Sequence, residues 1–300
     1  MKRIVSVSLG SSQRDHRAEV EFFGEKVVIE RIGTNGDLKR VISLIQSLDG
    51  KVDAFGMGGI DLYLTADGRR FVIQDGARIA RAAKISPILD GSGLKNTLER
   101  KVVGYLQEEL GIALSGKKVL MVSAVDRFGM AEAFDAAGCR MVFGDLIFAL
   151  GIPIPITTLK GLRKLAFTFL PVITRLPFTF LYPTGSKQDQ ITPKYTKYYE
   201  DADIIAGDFL YIRKYMPQNL KGKIIVTNTV TPANISELKE RGASLLVTST
   251  PEFNGRSFGT NVMEALLVSF SGKRPDELGE ADYLQLLDKL HFQPRLVRLS

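Results

Sequence analysis

Lys95 and Glu99 stand four residues apart, so on a helix they share one face. A lysine hydrogen-bonded to a ligand hydroxyl and tuned by a carboxylate can give and take a proton, which makes the two candidate catalytic residues. The same spacing also suits a surface ion pair at a helix start. Lys84 is a further acid/base candidate. Asn96 and Thr97 can hydrogen-bond hydroxyls of a ligand or cap the following helix. A second polar cluster runs from Thr248 to Asn261. In it Arg256 can hold a carboxylate at two points, while Thr260 or Asn261 can cap the following helix. Asp145 and Asp208 have no His or Cys companions, and His16 and His291 stand apart. No metal site and no nucleophilic triad is therefore expected.

The stretch from Lys118 to Asp145 has the order a dinucleotide site requires: a strand, a turn, and a helix whose first amides face a pyrophosphate. An apolar strand leads into Ser123-Ala124-Val125-Asp126-Arg127-Phe128-Gly129, a small-residue helix runs to Gly138, and a second strand ends beside Asp145. Asp145 follows Ser123 by about 20 residues, the distance at which an acidic side chain takes a ribose hydroxyl. Ser123, Val125, Asp126, Arg127, Gly129 and Asp145 form the expected cofactor-binding set, with Thr227 and Asn228 placed to line a nicotinamide site. The carboxylate of Asp145 favours NAD, while Arg127 and Arg140 leave NADP open. Ser123 and Val125 replace two glycines, and their side chains would obstruct the pyrophosphate. The alternative is a unit that kept its architecture and lost its nucleotide.

These groups must be positioned by two kinds of element. Over 1–100 the pattern is mixed, with strands at 3–9, 19–23 and 26–32, a helix from Asp37 to Leu48, a short strand at 53–59 running into glycines, a helix at 75–84 and a strand from Pro87; the stretch Gly56 to Asp61 reads as a turn rather than a phosphate nest. From Lys117 short apolar strands alternate with helices, which implies a parallel sheet covered on both faces. The fold expected is α/β: an N-terminal mixed substrate-type domain (1–100), a Rossmann-like parallel-sheet domain (101–272), and a C-terminal helix and tail (273–300). An apolar insertion at 151–185 interrupts the second domain. Its prolines and the charges of Lys160, Arg163, Lys164 and Arg175 argue against a membrane span. The segment 151–183 is expected to pack as a lid or as the interface of a homo-oligomer. Net charge is +7, spread without a recognition motif, so anionic small molecules are expected as partners and nucleic acid is not. One cysteine and a brief apolar run at the N-terminus suggest a cytoplasmic protein.

Gly93-Leu94-Lys95-Asn96-Thr97-Leu98-Glu99, then Val103-Gly104-Tyr105-Leu106, then Ser115-Gly116-Lys117-Lys118-Val119-Leu120 resembles the shikimate/quinate dehydrogenase family in order and spacing. Thr231-Pro232, Arg241-Gly242-Ala243 and the helix after Phe258-Gly259-Thr260-Asn261 are similar to that family's last segments. Ser6, Ser8, Ser11 and Ser12 with His16 loosely resemble its carboxylate-binding serines. The resemblance implies NAD(P)-dependent oxidoreduction of a ring hydroxyl on a polyhydroxy cyclic carboxylate, with Asn261 near the family's substrate glutamine. The family's lysine segment is missing, and Leu98 stands where its aspartate belongs. The alternatives are a non-catalytic ligand-binding protein that kept the fold, or an assembly or membrane-surface protein using the insertion.

Overall fold

The computed structural model describes residues 1–177, 191–253 and 256–300, with side chains of 253–257 excepted. Buried aliphatic runs make β1 (Lys2–Ser8), β3 (Glu25–Gly33), β4 (Ala54–Gly58) and β7 (Ile88–Leu89). These four run parallel, and β2 (His16–Phe22) joins β3 antiparallel, its solvent-facing residues alternating as an edge strand requires. Two-residue reversal at the β2–β3 turn needs positive φ, which Phe23 (50°) and Gly24 (76°) supply. The second sheet holds β8 (Lys118–Met121), β9 (Arg140–Phe143), β10 (Ile204–Ala206), β11 (Ile224–Thr227) and β12 (Leu245–Thr248), all parallel. The sequence predicts this mixed α/β class with a parallel-rich second sheet. It does not anticipate β15 (Arg295–Arg298), by which the tail closes the second sheet antiparallel to β12, nor the hairpin of β5 (Tyr63–Ala66) and β6 (Arg69–Val72).

Strand order decides where a ligand can go. The sheets read β2-β3-β1-β4-β7 and β15-β12-β11-β10-β8-β9. In each, the chain leaves its first strand to one side and returns on the other, so crossovers diverge between β1 and β4 and between β8 and β10. Open α/β sheets place ligands at such switch points, outside the carboxyl ends of the strands.

The domain limits expected at 101–272 need correction. Helix α9 (Thr260–Ser271) is buried on nearly all sides, from Val262 through Val268. A helix apolar all round has to be enclosed. It packs with Ile4, Ile29, Ala54 and Leu89 of the first sheet and with Leu94 and Leu98 of α3 (Ser92–Glu108). Tyr283 and Leu287 of α10 (Glu280–Lys289) close the same cluster. Helix α3 bridges the halves, since Val102, Val103 and Leu106 join the core that holds Phe134 of α4 (Phe128–Ala136).

The insertion forms α5 (Leu159–Ile173), capped by Thr158, with Leu162, Ala166 and Leu170 buried. It lies against both halves: Arg163 reaches Asp67 of the hairpin (3.1 Å) and Glu132 of α4 (3.2 Å), and Phe167 packs on Phe71. Pro183 falls outside the described residues. Among those described, no helix is long and apolar enough to cross a membrane.

Glu264 fixes the approach of α3 to α9. Its carboxyl accepts from the Tyr283 hydroxyl at 2.7 Å, and a side chain on Gly93 would meet its Oε1 at 2.2 Å. Burial, reinforced by Asp90, pushes Glu264 up to about 8, against the hydrogen bonds from Tyr283 and the Gly91 and Gly93 amides. A carboxyl raised in the folded state stabilises most below its unfolded value, and that contribution is lost as pH rises through its folded value. Wild type should therefore lose stability between about pH 4.5 and pH 8, and E264Q should flatten that decline in urea unfolding. A decline unchanged in E264Q would show that Glu264 is not its source.

Candidate functional site

Both switch points open into one cleft of about 190 Å³. Its floor on the second-sheet side is built on Arg127, in the turn after β8, whose side chain is only 4% exposed. The guanidinium donates to Glu99 Oε1 at 2.6 Å and to Asp208 Oδ2 at 3.3 Å. Glu99, inside α3, is raised by its own burial, against the pull of Arg127 and Lys95. Asp208 caps α7 (Phe209–Tyr215) and accepts from Asn228 Nδ2 at 2.8 Å. The end of β8, the end of β10 and α3 are thereby tied to one cation.

Lys95 lies one helical turn before Glu99 but does not pair with it, which corrects the expected Lys95–Glu99 couple. Its Nζ donates to Asp126 Oδ1 at 2.6 Å and to Asp61 Oδ2 at 3.3 Å, because Arg127 has taken Glu99. Asp61 and Asp126 are in hydrogen-bond contact as well. Two touching carboxyls cannot both be ionised without a large penalty. Burial, aided by the Asp126 charge, drives Asp61 well above the usual carboxylate range. Asp126 is also penalised by burial, but Lys95 and Arg127 outweigh that and hold it below its ordinary value. One proton shared within the pair relieves that penalty and lets one carboxyl donate to the other. Lys95 in turn stays charged, as Asp126 and Asp61 offset its own burial.

The facing wall comes from the first sheet and α9. Ser6 and Ser8 lie at the end of β1, Gly58 ends β4, and Gly59 follows it. Gly58 has no room for a side chain, since a Cβ there would stand 2.9 Å from Ser8 Oγ. Arg31 donates to Ser8 Oγ (3.0 Å), the Ser11 carbonyl (3.0 Å) and Asp15 (2.9 Å), and so enters the cleft in a fixed pose with Arg14 and His16 beside it. Asn261, at the start of α9, donates to Ser6 Oγ at 2.9 Å. Asn261 thereby lines the cleft on the α9 side.

The dinucleotide set does not assemble as a cradle. Asp145 accepts from the Ala124 and Val125 amides, each at 3.0 Å, so the amides that a pyrophosphate would need already serve a carboxylate. Burial pushes Asp145 up to about 6, against those same bonds. Arg127 is locked in its ion pairs, and Ser123 Oγ is buried with no hydrogen-bond partner. Gly129 serves packing: a Cβ there would meet Asn96 Oδ1 at 2.7 Å, so the glycine lets α4 press on α3. The residues present do not fit a bound NAD or NADP.

Other expected positions separate in the same way. Asn96 and Thr97 lie inside α3, which starts at Ser92, so neither caps it; Asn96 packs on Gly129, and Thr97 is buried. Thr227 is buried and donates to the Gly207 carbonyl at 2.8 Å, while Asn228 and Thr229 reach the cleft. The Arg256 side chain lies outside the described residues. Among those residues no cluster suits a metal ion. Asp61 and Arg31 are the functional candidates that sequence reasoning missed. Asp61 sits just past a glycine run read as a turn, and Arg31 lies at register Ser6↔Arg31, visible only once β3 is paired with β1.

A family model described as "Domain of unknown function (DUF8754)" matches residues 93–299, and one described as "Domain of unknown function (DUF8753)" matches residues 3–90. No curated protein matches the sequence. Similar solved structures include a galactofuranose binding protein, with 14% identity, TM-score 0.38, and cover of 97% of this chain and 99% of that one. They also include GanP, a glucose-galactose binding protein from Geobacillus stearothermophilus, with 11% identity, TM-score 0.38, and cover of 99% and 97%. L-tryptophan dehydrogenase from Nostoc punctiforme shows 12% identity, TM-score 0.37, and cover of 89% and 68%. Likenesses this distant say nothing of the ligand of this chain. The expected membership of the shikimate/quinate dehydrogenases, and the oxidoreductase activity drawn from it, are overturned. The family models that match the chain are others, and they carry no such activity.

The Lys95–Asp61–Asp126 triad generates a direct test. K95M leaves two buried carboxyls facing each other, which raises both, and raised carboxyls lose stability as pH rises. K95M should be destabilised more at pH 8 than at pH 5 in urea unfolding, and K95M/D61N should narrow that gap. Equal losses at both pH values would mean that Lys95 does not balance the pair.

Proposed function

In a chain that belongs to the DUF8754 family, whose description assigns no activity, function has to be read from the cleft, and we propose that it binds a small hydroxylated carboxylate or related anion without redox chemistry. The observation that carries this reading is the pairing of opposed walls at two switch points: a wall with the cations Arg31 and Arg14 beside His16, and a carboxyl–ammonium wall of Asp61, Asp126 and Lys95.

Arg31 is held by Ser8 and Asp15 in a pose that supports a carboxylate partner at low ordering cost. The first amides of α9, at Thr260 and Asn261, add partial positive charge on the same side. Hydroxyl groups need partners that both donate and accept. Lys95 donates, Asp126 accepts, and Asn228 does both. A volume near 190 Å³ is below the roughly 300–1,000 Å³ of drug-sized pockets, so the ligand is far smaller than a dinucleotide. A single cysteine accords with a reducing, cytoplasmic setting.

D-gluconate, D-tartrate and glycerate serve as probes against neutral polyols. A bound anion at 100 times its Kd should stabilise the fold by about 2.7 kcal/mol in thermal melts. R31Q should abolish that gain, and added salt should weaken it. Equal stabilisation by xylitol and gluconate, or a gain that survives R31Q, would refute the anionic part of the reading. Failure of every probe would refute the hydroxylated-anion class.

A further inference from the structure

Two carboxyls meet where the strand ends of the two sheets converge. Asp61 follows the glycines at the end of β4, and Asp126 lies in the turn after β8, so each switch point brings one carboxyl to the cleft. The two touch, and Lys95 of α3 donates to both, at 3.3 and 2.6 Å. Their side chains are 19% and 22% exposed, so a ligand in the cleft reaches them while bulk water is largely shut out. Arg31 stands on the facing wall.

Binding alone does not require carboxyls in contact. A touching pair that shares one proton is one acid and one base at a single point of the cleft. An ammonium has three donors; the two carboxyls take two of those of Lys95, which leaves the third for a ligand oxygen. An acid, a base and a fixed cation at one point suit the attack of water on an ester carbonyl. There water loses a proton, the carbonyl oxygen gains charge, and the leaving oxygen gains a proton. Carboxyl pairs that cleave glycosides stand roughly 5–9.5 Å apart, so a touching pair does not suit that reaction. Arg31, across the cleft, anchors an anionic group away from the reacting bond.

We propose that the cleft hydrolyses small lactones that carry a free carboxylate, with Asp61 and Asp126 as the acid–base pair and Lys95 beside the carbonyl oxygen; the proposal rests on the anion-binding reading given above. The product is a hydroxylated carboxylate, the class of ligand that the cleft walls suit. The ionised carboxyl of the pair takes a proton from water, whose oxygen bonds to the ring carbonyl carbon while the carbonyl electron pair moves onto its oxygen, next to Lys95. That electron pair then returns, the ring C–O bond breaks, and the protonated carboxyl gives its proton to the departing oxygen, which becomes the new hydroxyl. The pair again holds one proton, with the two roles exchanged. The new carboxylic acid releases one proton to solvent.

Two γ-lactones test it: that of D-glucarate, which keeps a free carboxylate, and that of D-gluconate, which is neutral. Wild type should open the glucarate lactone with proton release in proportion to protein concentration and in preference to the gluconate lactone, and R31Q should erase that preference. D61N and D126N should each lower kcat about 100-fold or more, and far more than they weaken glucarate binding in calorimetry. Because the two carboxyls act as a unit, D61N/D126N should lose little more than either single variant. In a single turnover of wild type in water labelled with heavy oxygen, the label should enter the freed carboxylate of the product. Label in Asp61 or Asp126 would overturn the water step whether or not the variants fold. Glucarate that binds while neither lactone is opened, or a kcat unchanged in D61N and D126N, would overturn the proposal and leave the binding reading in place. If both lactones are opened alike and R31Q changes nothing, the hydrolysis stands and the Arg31 reading falls. If glucarate does not bind and neither lactone is opened, both fall.

Discussion

A single guanidinium, that of Arg127, sets the terms for the rest of the site. It is taken out of water in the turn after β8 and answered by Glu99 from α3 and Asp208 from the end of β10. Burying a charge costs several kcal/mol, and only well-placed opposite charges and hydrogen bonds return it. Once Arg127 claims Glu99, Lys95 must find other partners, and it takes Asp126 and Asp61. Asp208, held by Arg127, orients Asn228 at the neighbouring strand end. Most of the polar floor of the cleft thus follows from one ion pair.

The same arrangement occupies the amides that a dinucleotide would need in a parallel sheet of this type. The turn after β8 is folded around Arg127 and closed by Asp145, so its amides face a carboxylate of the protein itself. Helix α5 covers the neighbouring strand ends with apolar side chains. What remains accessible is the space between the two switch points, where charge and hydrogen-bonding groups of both halves converge. Helices α3 and α9 hold the halves together there, each contributing side chains to the core and to the cleft.

Local physics made part of this legible from sequence. Aliphatic strand runs such as Val119–Val122 and small-residue helices such as 128–136 declare themselves by composition and spacing, and so does the Asp37 cap of α1 (Leu38–Leu48). Lys95, Asp126, Asn228 and Asn261 are candidates on sequence grounds, and all line the cleft. What escaped depends on contacts distant along the chain. The Lys95–Asp61 and Arg127–Asp208 pairs span 34 and 81 positions. The Asn261–Ser6 bond spans 255, and nothing local reveals that α9 returns to the first sheet. Glu99 misled because an i,i+4 spacing to a lysine is indistinguishable, along the chain, from a buried carboxylate awaiting an arginine. The shared order of glycines and short strands that suggested a dehydrogenase reports only how a parallel sheet is built.

The site rests on the coupling between Arg127 and Glu99, and a double-mutant cycle measures it. Urea unfolding of R127M, E99Q and R127M/E99Q is compared with wild type. Removing one partner of a buried pair strands the other charge and should cost about 3–5 kcal/mol. The double variant should be less destabilised than the sum of the single ones by at least about 1 kcal/mol. Additive losses, with no coupling between the two positions, would contradict the claim that the site is built on this pair.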